Sequence, residues 1–278
     1  MNKINKDKIM VVDPEYNDDD NLIVKPIDMK HVELAPGIHP NYPLHPFCLY
    51  IPSSRGSGKT TLIVYLITHP YLRFFNRIYI FSPTAKDDIA FKKIKLDEDR
   101  VFDKYSDLAF QNVVQEIKDN PDEKALIIVD DMTGTSIMTK NNALTQFLFR
   151  HRHIPNDYTG TSMIIASHQY KSVSPNLRNN FTDIIIFKSF SDKELEVIAE
   201  DNKGKMTFND FYYLFETATK ETDKSKHNFF YIKRKEPLET RFRRNFNLIF
   251  KINYMDQQEL NEPINIDNVD DEEEKIII

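Results

Sequence analysis

Eight residues, Ser53-Ser54-Arg55-Gly56-Ser57-Gly58-Lys59-Thr60, separate the apolar run Phe47-Cys48-Leu49-Tyr50-Ile51 from the segment Thr61-Leu62-Ile63-Val64-Tyr65-Leu66-Ile67, which stops before Pro70. The first run is short and aromatic-rich, as a buried strand is, and the second is apolar over a helix length, so the order is strand, loop, helix. Gly56 and Gly58 allow backbone conformations that other residues avoid, so successive N–H groups can turn inward around phosphate oxygens at the positive end of the helix. Lys59 is then placed to reach the β- and γ-phosphates, and the Thr60 hydroxyl to hold Mg²⁺. The predicted nucleotide-binding set is Ser54, Arg55, Gly56, Ser57, Gly58, Lys59, Thr60 and Thr61. One position departs from the G-x-x-x-x-G-K-[ST] pattern: Ser53 stands where a glycine closes the turn without touching phosphate. A chance Gly-Ser-Gly-Lys in a flexible loop would not carry a strand before it and a helix after it.

A second run, Ala125-Leu126-Ile127-Ile128-Val129-Asp130-Asp131, is apolar and ends in two carboxylates. That is the form of a buried parallel strand delivering acids to the carboxyl edge of a sheet. Asp130 is expected in the outer coordination sphere of Mg²⁺ opposite Thr60, and Asp131 beside the γ-phosphate, where it can orient or deprotonate the attacking water. Taken alone the run could be a strand and an acidic turn. Following the phosphate loop by about seventy residues, it points to hydrolysis of ATP or GTP.

A chain of 278 residues accommodates one large α/β domain of roughly 200 to 250 residues with tails. Residues 1–46 are expected to be an irregular segment draped over the core, broken by Pro26, Pro36, Pro40, Pro43 and Pro46. Residues 47–254 form the predicted ATPase domain. Residues 255–278, with five successive acids at 270–274, read as a solvated, disordered acidic tail. That tail carries nine acids and one lysine, and residues 1–20 carry six acids and three lysines. Of the net −6 the ends therefore hold −8 and −3, and residues 21–254 hold +5. A tail that competes with a polyanion for the basic body is one reading, and a solubilising tail is the plainer one. Cys48, the one cysteine, reads as core packing in a reducing, intracellular setting. No apolar stretch has the length of a membrane span and no signal-peptide pattern opens the chain, so no membrane association is expected.

Further strands are expected at 77–81, 162–167 and 183–187, with helical patterns at 86–119, 142–151, 192–200 and 209–219. Strands that are continuous apolar runs, alternating with helices, imply a mostly parallel sheet covered on both faces. Strands at 228–233 and 245–252, joined by a basic connection from Lys233-Arg234-Lys235 through Arg241, Arg243 and Arg244, imply a C-terminal antiparallel edge. Those six cations suit either nucleic-acid phosphates or an edge charged against sheet-to-sheet aggregation.

The strand ending Ser167-His168-Gln169, followed by Ser174-Pro175-Asn176-Leu177-Arg178-Asn179-Asn180 and Ile184-Ile185-Ile186-Phe187, resembles the FtsK-HerA group of DNA-pumping ATPases. More narrowly, it is similar to the genome-packaging ATPases of poxviruses, giant viruses and their satellite viruses (virophages). There a glutamine ending the strand senses the γ-phosphate and a Pro-x-x-Arg-x-Asn stretch leads to the next strand; Gln169 and Pro175, Arg178 and Asn180 match. An Arg-His pair follows the helix after the second motif, and Phe149-Arg150-His151-Arg152-His153-Ile154 fills that place. The resemblance covers residues 47–190 and implies a RecA-like P-loop NTPase fold acting as a homo-oligomeric ring, with Arg150, or Arg152 as alternate, reaching a neighbour's γ-phosphate. Pro155 to Thr161 is a longer connection than the family pattern.

The implied function is an ATP-hydrolysing, Mg²⁺-dependent DNA translocase, a viral genome-packaging motor subunit acting on double-stranded DNA with a capsid or portal partner, in the host cytoplasm or viral factory. A P-loop nucleoside or nucleotide kinase is an alternative, opposed by the tandem acids and the glutamine-ended strand. A nucleotide-gated capsid scaffold with slow turnover is another. His151 and His153 lie two apart and do not make a zinc set. His168 reads as a packing or hydrogen-bonding group, and the aromatic cluster at 208–215 as core at helical spacing.

Overall fold

The computed structural model describes residues 36–94, 97–132, 137–188, 191–222 and 225–252. The N-terminal stretch before residue 36 and the acidic tail expected over 255–278 lie outside the described residues. Nine strands form one sheet: β1 (Cys48–Pro52), β2 (Arg77–Phe81), β3 (Val101–Phe102), β4 (Ala125–Asp130), β5 (Thr161–Ser167), β6 (Asp183–Phe187), β7 (Phe229–Lys233), β8 (Phe242–Arg244) and β9 (Leu248–Ile249). Their order across the sheet is β3-β2-β4-β5-β1-β6-β7-β8-β9. Pairings from β3 to β6 are parallel and those from β6 to β9 antiparallel. The predicted mostly parallel sheet with an antiparallel C-terminal edge is thus present.

The continuous apolar runs exist because both faces are buried, and successive residues alternate between two cores. Tyr50, Ile127, Val129, Ile165 and Ile186 face one core, where α2 (Asp107–Asp119), α3 (Ala143–Arg150), α4 (Pro175–Arg178), α5 (Asp192–Asn202) and α6 (Phe208–Thr219) pack. Leu49, Ile51, Ile128, Ile164 and Ile185 face the other, covered by α1 (Lys59–Thr68) with Tyr71, Phe75 and Phe91. Phe211, Leu214 and Phe215 of the aromatic cluster are buried, as helical spacing requires, while Tyr212 and Tyr213 stay partly exposed. The described end of the N-terminal segment lies on the core: the Tyr71 hydroxyl donates to the Pro43 carbonyl, and Tyr42 packs against Phe246.

Two expectations are corrected. The helical region from Lys86 to Asp119 is helical only from Asp107; before it come two 3-10 turns and the edge strand β3. Local charge density had hidden the Val101-Phe102 pair, whose Phe102 ring stacks on Phe81 at 4.5 Å. Of the strand expected over Asn245 to Ile252 only β9, Leu248–Ile249, is strand; Asn245, at φ 51, belongs to the turn that joins β8 to β9. Arg243 and Arg244 therefore belong to β8 and not to a connection. Arg243 is 3% exposed, grips both carboxylate oxygens of Glu236 at 2.6 and 2.7 Å and reaches Asn41. Lys233 donates to the Pro40 carbonyl, and Arg234 to Asn202 and to the Arg178 carbonyl. Half of the basic set is thus structural and turned away from any polyanion.

Two buried histidines fix the start of β5. His45 lies between Ser162 Oγ at 2.7 Å and the Thr159 carbonyl at 2.8 Å, and His151 Nδ1 donates to the Thr161 carbonyl at 2.7 Å. Burial lowers each to about 4.

Arg243→Ala should lower stability in urea unfolding by about 3 kcal/mol, because Glu236 loses its buried partner, whereas Arg244→Ala should stay within about 1 kcal/mol. The histidines set a pH dependence as well. The unfolded chain takes up protons near pH 6.5 that the fold refuses until about 4, so their contribution is complete above pH 6.5 and is lost as pH falls toward 4. Urea midpoints should fall from pH 7 to pH 5, and His45→Asn should flatten that slope.

Candidate functional site

The loop leaves β1 at the carboxyl edge of the sheet and enters α1 through Gly58, which caps the helix at φ 104. That conformation excludes a side chain there, and Gly56, at φ 79, shares the constraint. The orphan N–H groups of the first turn of α1 point into the loop, where an anion would complete them. Ser53, the departure from the motif, is fully buried. Its N–H donates to the Ser167 carbonyl at 2.9 Å, its hydroxyl donates to the Pro52 carbonyl, and the same oxygen accepts the Phe187 N–H at 3.3 Å. Ser53 needs no left-handed backbone; it ties the base of the loop to β5 and β6.

Lys59, 7% exposed, folds back on the loop and donates to the Ser53 and Ser54 carbonyls at 2.6 and 2.9 Å. Burial lowers its pKa, against the pull of Asp131 and Asp130. Asp130, 4% exposed at the end of β4, is pushed up to about 7 by burial and then by Asp131, with Lys59 opposing. A buried carboxylate with no hydrogen-bond partner among the described residues, sharing a cavity with a threonine hydroxyl, is a hard-oxygen donor set that fits Mg²⁺ completed by phosphate oxygens and water. Asp131 adopts φ 59, a left-handed conformation that aspartate tolerates better than most residues. Its N–H donates to the Ala166 carbonyl at 3.3 Å, and its Oδ1 lies 2.7 Å from His168 Nε2, close enough for an ion pair though not aligned as a hydrogen bond.

These groups open on one cavity of about 990 Å³ lined by Arg55, Gly56, Gly58 to Thr61, Asp130 and Asp131. Ser54 and Ser57 line a smaller neighbouring cavity together with Arg55 and Gly56. The large cavity also takes in Thr84 and Asp88, from the turn after β2, and His168. Sequence reasoning missed these three. For His168 a signal was present, since Ala166 pairs in register with Asp130, so the residue just past the end of β5 must emerge beside the acids.

Gln169 follows the end of β5 instead of lying in it, is exposed, and is not among the residues that line the cavity. Its carbonyl is held by the Tyr50 and Ser172 hydroxyls at 2.9 and 2.6 Å. Arg150, the last residue of α3, is exposed and makes no ion pair among the described residues; Arg152, also exposed, donates to His153. The adjacent His151 contacts Thr161 at the start of β5, while the nucleotide cavity lies beyond Ser167 at its end. A strand of this length puts the two ends about 20 Å apart. Arg150 and the cavity of the same subunit therefore lie at opposite edges of the sheet.

Ser53→Gly, which would restore the motif glycine, should lower stability by about 1–2 kcal/mol in urea unfolding, because the buried Phe187 N–H loses its acceptor. Nucleotide affinity, measured by titration calorimetry, should not improve.

Comparison with the curated proteins finds no match. Among solved structures the chain is similar to B204, the DNA-packaging ATPase from Sulfolobus turreted icosahedral virus, at 16% identity and a TM-score of 0.51, covering 68% of this chain and 93% of that one. It is likewise similar to the genome packaging NTPase B204 from Sulfolobus turreted icosahedral virus 2 in complex with ATP-gammaS, at 16% identity, a TM-score of 0.50 and coverage of 68% and 92%. The same protein in complex with sulfate gives 15% identity, a TM-score of 0.50 and the same coverage. At these identities the likeness speaks for the fold, a RecA-like P-loop NTPase. A family model for the poxvirus A32 protein matches residues 41–210, well over half of the chain, with the phosphate loop, the acid pair, His168, Gln169 and the Arg-His stretch all inside the match; the chain belongs to the poxvirus A32 protein family.

Proposed function

We propose that this chain is the ATP-hydrolysing motor subunit that drives double-stranded DNA into a viral capsid, acting as a homo-oligomeric ring docked on a capsid or portal protein inside the infected cell. The observation that carries the reading is the placement of Arg150. The loop, Lys59 and the acid pair share one cavity, while Arg150, which has no ion pair among the described residues, stands exposed at the opposite edge of the sheet, where it is open to a neighbouring subunit. Membership in the A32 family and the likeness to a fold seen in genome-packaging ATPases support the same reading. No described helix is long and apolar enough to cross a membrane.

In this mechanism the triphosphate enters the loop and Lys59 exchanges the Ser53 and Ser54 carbonyls for β- and γ-phosphate oxygens. Thr60 and Asp130 would hold Mg²⁺, which would supply charge neutralisation to those oxygens. Asp131, steadied by His168, orients a water and takes its proton as the water oxygen bonds to the γ-phosphorus and the bond to the β,γ-bridging oxygen breaks, giving ADP and phosphate. Arg150 from the adjacent subunit stabilises the charge on the transferring group, which ties hydrolysis to subunit movement. Gln169, just past β5, would relay the state of the nucleotide.

Steady-state ATP hydrolysis measured with and without double-stranded DNA tests this directly. Stimulation that falls steeply with salt is expected of a motor that grips the phosphate backbone; turnover indifferent to DNA and salt would argue for a scaffold or kinase. Lys59→Ala should abolish hydrolysis, and Asp131→Asn should keep nucleotide binding while slowing turnover roughly a hundredfold. Arg150→Ala should lose about a thousandfold in turnover and regain activity when mixed with Lys59→Ala subunits, which keep their arginine. If mixing restores nothing, the trans role of Arg150 fails.

A further inference from the structure

The cavity is larger than a triphosphate needs, and its lining divides by chemistry. One part is the loop with its acids; the other is aromatic. Thr61, Leu62 and Tyr65 lie along the cavity side of α1, so the cavity continues for about 7 Å past the phosphate-binding end of the helix, the reach of a ribose. At that distance the Tyr65 hydroxyl meets the Tyr42 hydroxyl at 3.2 Å. Tyr42 packs on Phe246 at 4.7 Å, Phe246 on Phe229 at 5.1 Å and Phe229 on Phe187 at 5.6 Å. Phe187 closes the string, its ring 3.7 Å from where a Cβ on Gly58 would stand. A string of aromatic rings in tilted and edge-to-face contact thus runs from the phosphate loop outward, built from five separate parts of the chain.

The turn between β8 and β9 adds polar groups at the rim. The Asn245 carboxamide is occupied, its oxygen accepting the Phe229 N–H and its nitrogen donating to Asn228. Asn247 is exposed, lines the cavity, and has no side-chain hydrogen bond among the described residues. A free carboxamide offers one donor and one acceptor side by side, which matches the N6 amino group and adjacent ring nitrogen of adenine. On that same edge guanine presents two acceptors, O6 and N7, and leaves the carboxamide oxygen unpaired; its N1–H and O6 edge would pair with a carboxamide, so discrimination follows where Asn247 meets the N6 and N7 edge.

We propose that Tyr42, Tyr65 and Phe246 form a stacking platform for the nucleobase and that Asn247 reads its N6 and N7 edge, making this cavity selective for adenine over guanine nucleotides. The proposal rests on the nucleotide-hydrolase reading of the same cavity and assigns the residues that choose the nucleotide. Tyr42 comes from the segment before β1 and Asn247 from the C-terminal edge, so bound base would join the two flanks of the domain across α1.

The test is equilibrium binding, in the presence of Mg²⁺ and without DNA, of two probes: the non-hydrolysable ATP analogue AMP-PNP, which carries a base, and inorganic tripolyphosphate, which does not. Tyr42→Ala should weaken AMP-PNP about tenfold and leave tripolyphosphate unchanged, while Tyr42→Phe keeps the ring and binds AMP-PNP as the wild type does. Asn247→Ala should narrow the preference for AMP-PNP over GMP-PNP severalfold, again without effect on tripolyphosphate. Equal loss of both probes, or AMP-PNP binding unchanged in both alanine variants, would overturn the base site and leave the phosphate site standing. Wild-type protein that binds neither probe would instead remove the nucleotide reading itself, and the base site with it.

Discussion

An ammonium and a carboxylate held together out of water, with a second, partly exposed carboxylate beside them, are the constraint on which the rest of the site depends. Lys59 and Asp130 are both nearly inaccessible, and each would be costly to bury alone. Together they offset one another in part: the acids hold the lysine pKa up against burial, and the lysine holds Asp130 down against burial and Asp131. The compensation is incomplete, and Asp130 still reaches about 7. A site left with a lysine tied to its own loop carbonyls and a carboxylate reluctant to ionise is poised for a ligand that brings both an anion for the lysine and a cation for the acid. A magnesium-bound triphosphate is such a ligand. The sheet enforces this geometry because β1 and β4 both flank β5 in parallel, so the loop and the acids must emerge at one edge.

The same rule of direction places Arg150. In a right-handed crossover the helix returns against the strands, so a residue at the end of α3 must lie near the starts of β4 and β5. An arginine there is as far from its own nucleotide as the sheet allows. In a closed ring of identical subunits, each edge bearing Arg150 can face the next subunit's nucleotide edge, and one sequence then supplies both halves of every site. His151 gives the arrangement rigidity: its ring is buried against Thr161 one residue beyond Arg150, so the backbone that carries the exposed arginine is anchored to β5.

What was legible in the sequence was whatever an interaction between neighbours in the chain, or a fully buried strand, makes necessary. The runs at 125–130 and 183–187 have no polar face to blur their ends, and both strands fall where the runs do. The phosphate loop was legible because its conformation demands glycine at defined places. The region before α2 misled because its short strand is stabilised by one long-range ring stack, Phe81 on Phe102, that no local pattern encodes. The basic stretch misled because charge in a sequence does not show which way it points: Arg243, Arg234 and Lys233 are drawn inward by Glu236, Asn202 and a backbone carbonyl. Thr84, Asp88 and His168 were missed because they reach the cavity from the segments after two separate strands, β2 and β5.

The Pro-x-x-Arg-x-Asn stretch can be read the same way, and its parts prove to be largely architectural. Pro175 opens α4 at a position where a missing N–H costs nothing. Arg178, 6% exposed, donates to Asp201 at 2.7 Å and to the Val173 carbonyl, and its guanidinium lies over the Tyr170 ring at 4.8 Å. The Tyr170 hydroxyl donates to Asp201 too, and Arg234 closes the circuit by donating to the Arg178 carbonyl. This network joins the residue immediately after Gln169 to α5 and to the end of β7. Because its members are hydrogen-bonded to one another and Tyr170 and Arg178 are buried, it resists deformation as a unit, and a displacement of the backbone at Gln169 is passed to α5 or resisted. A glutamine outside the cavity yet bonded through its own carbonyl to Tyr50 of β1 is therefore mechanically tied on both sides, to the strand that carries the phosphate loop and to the helix beyond the sheet edge.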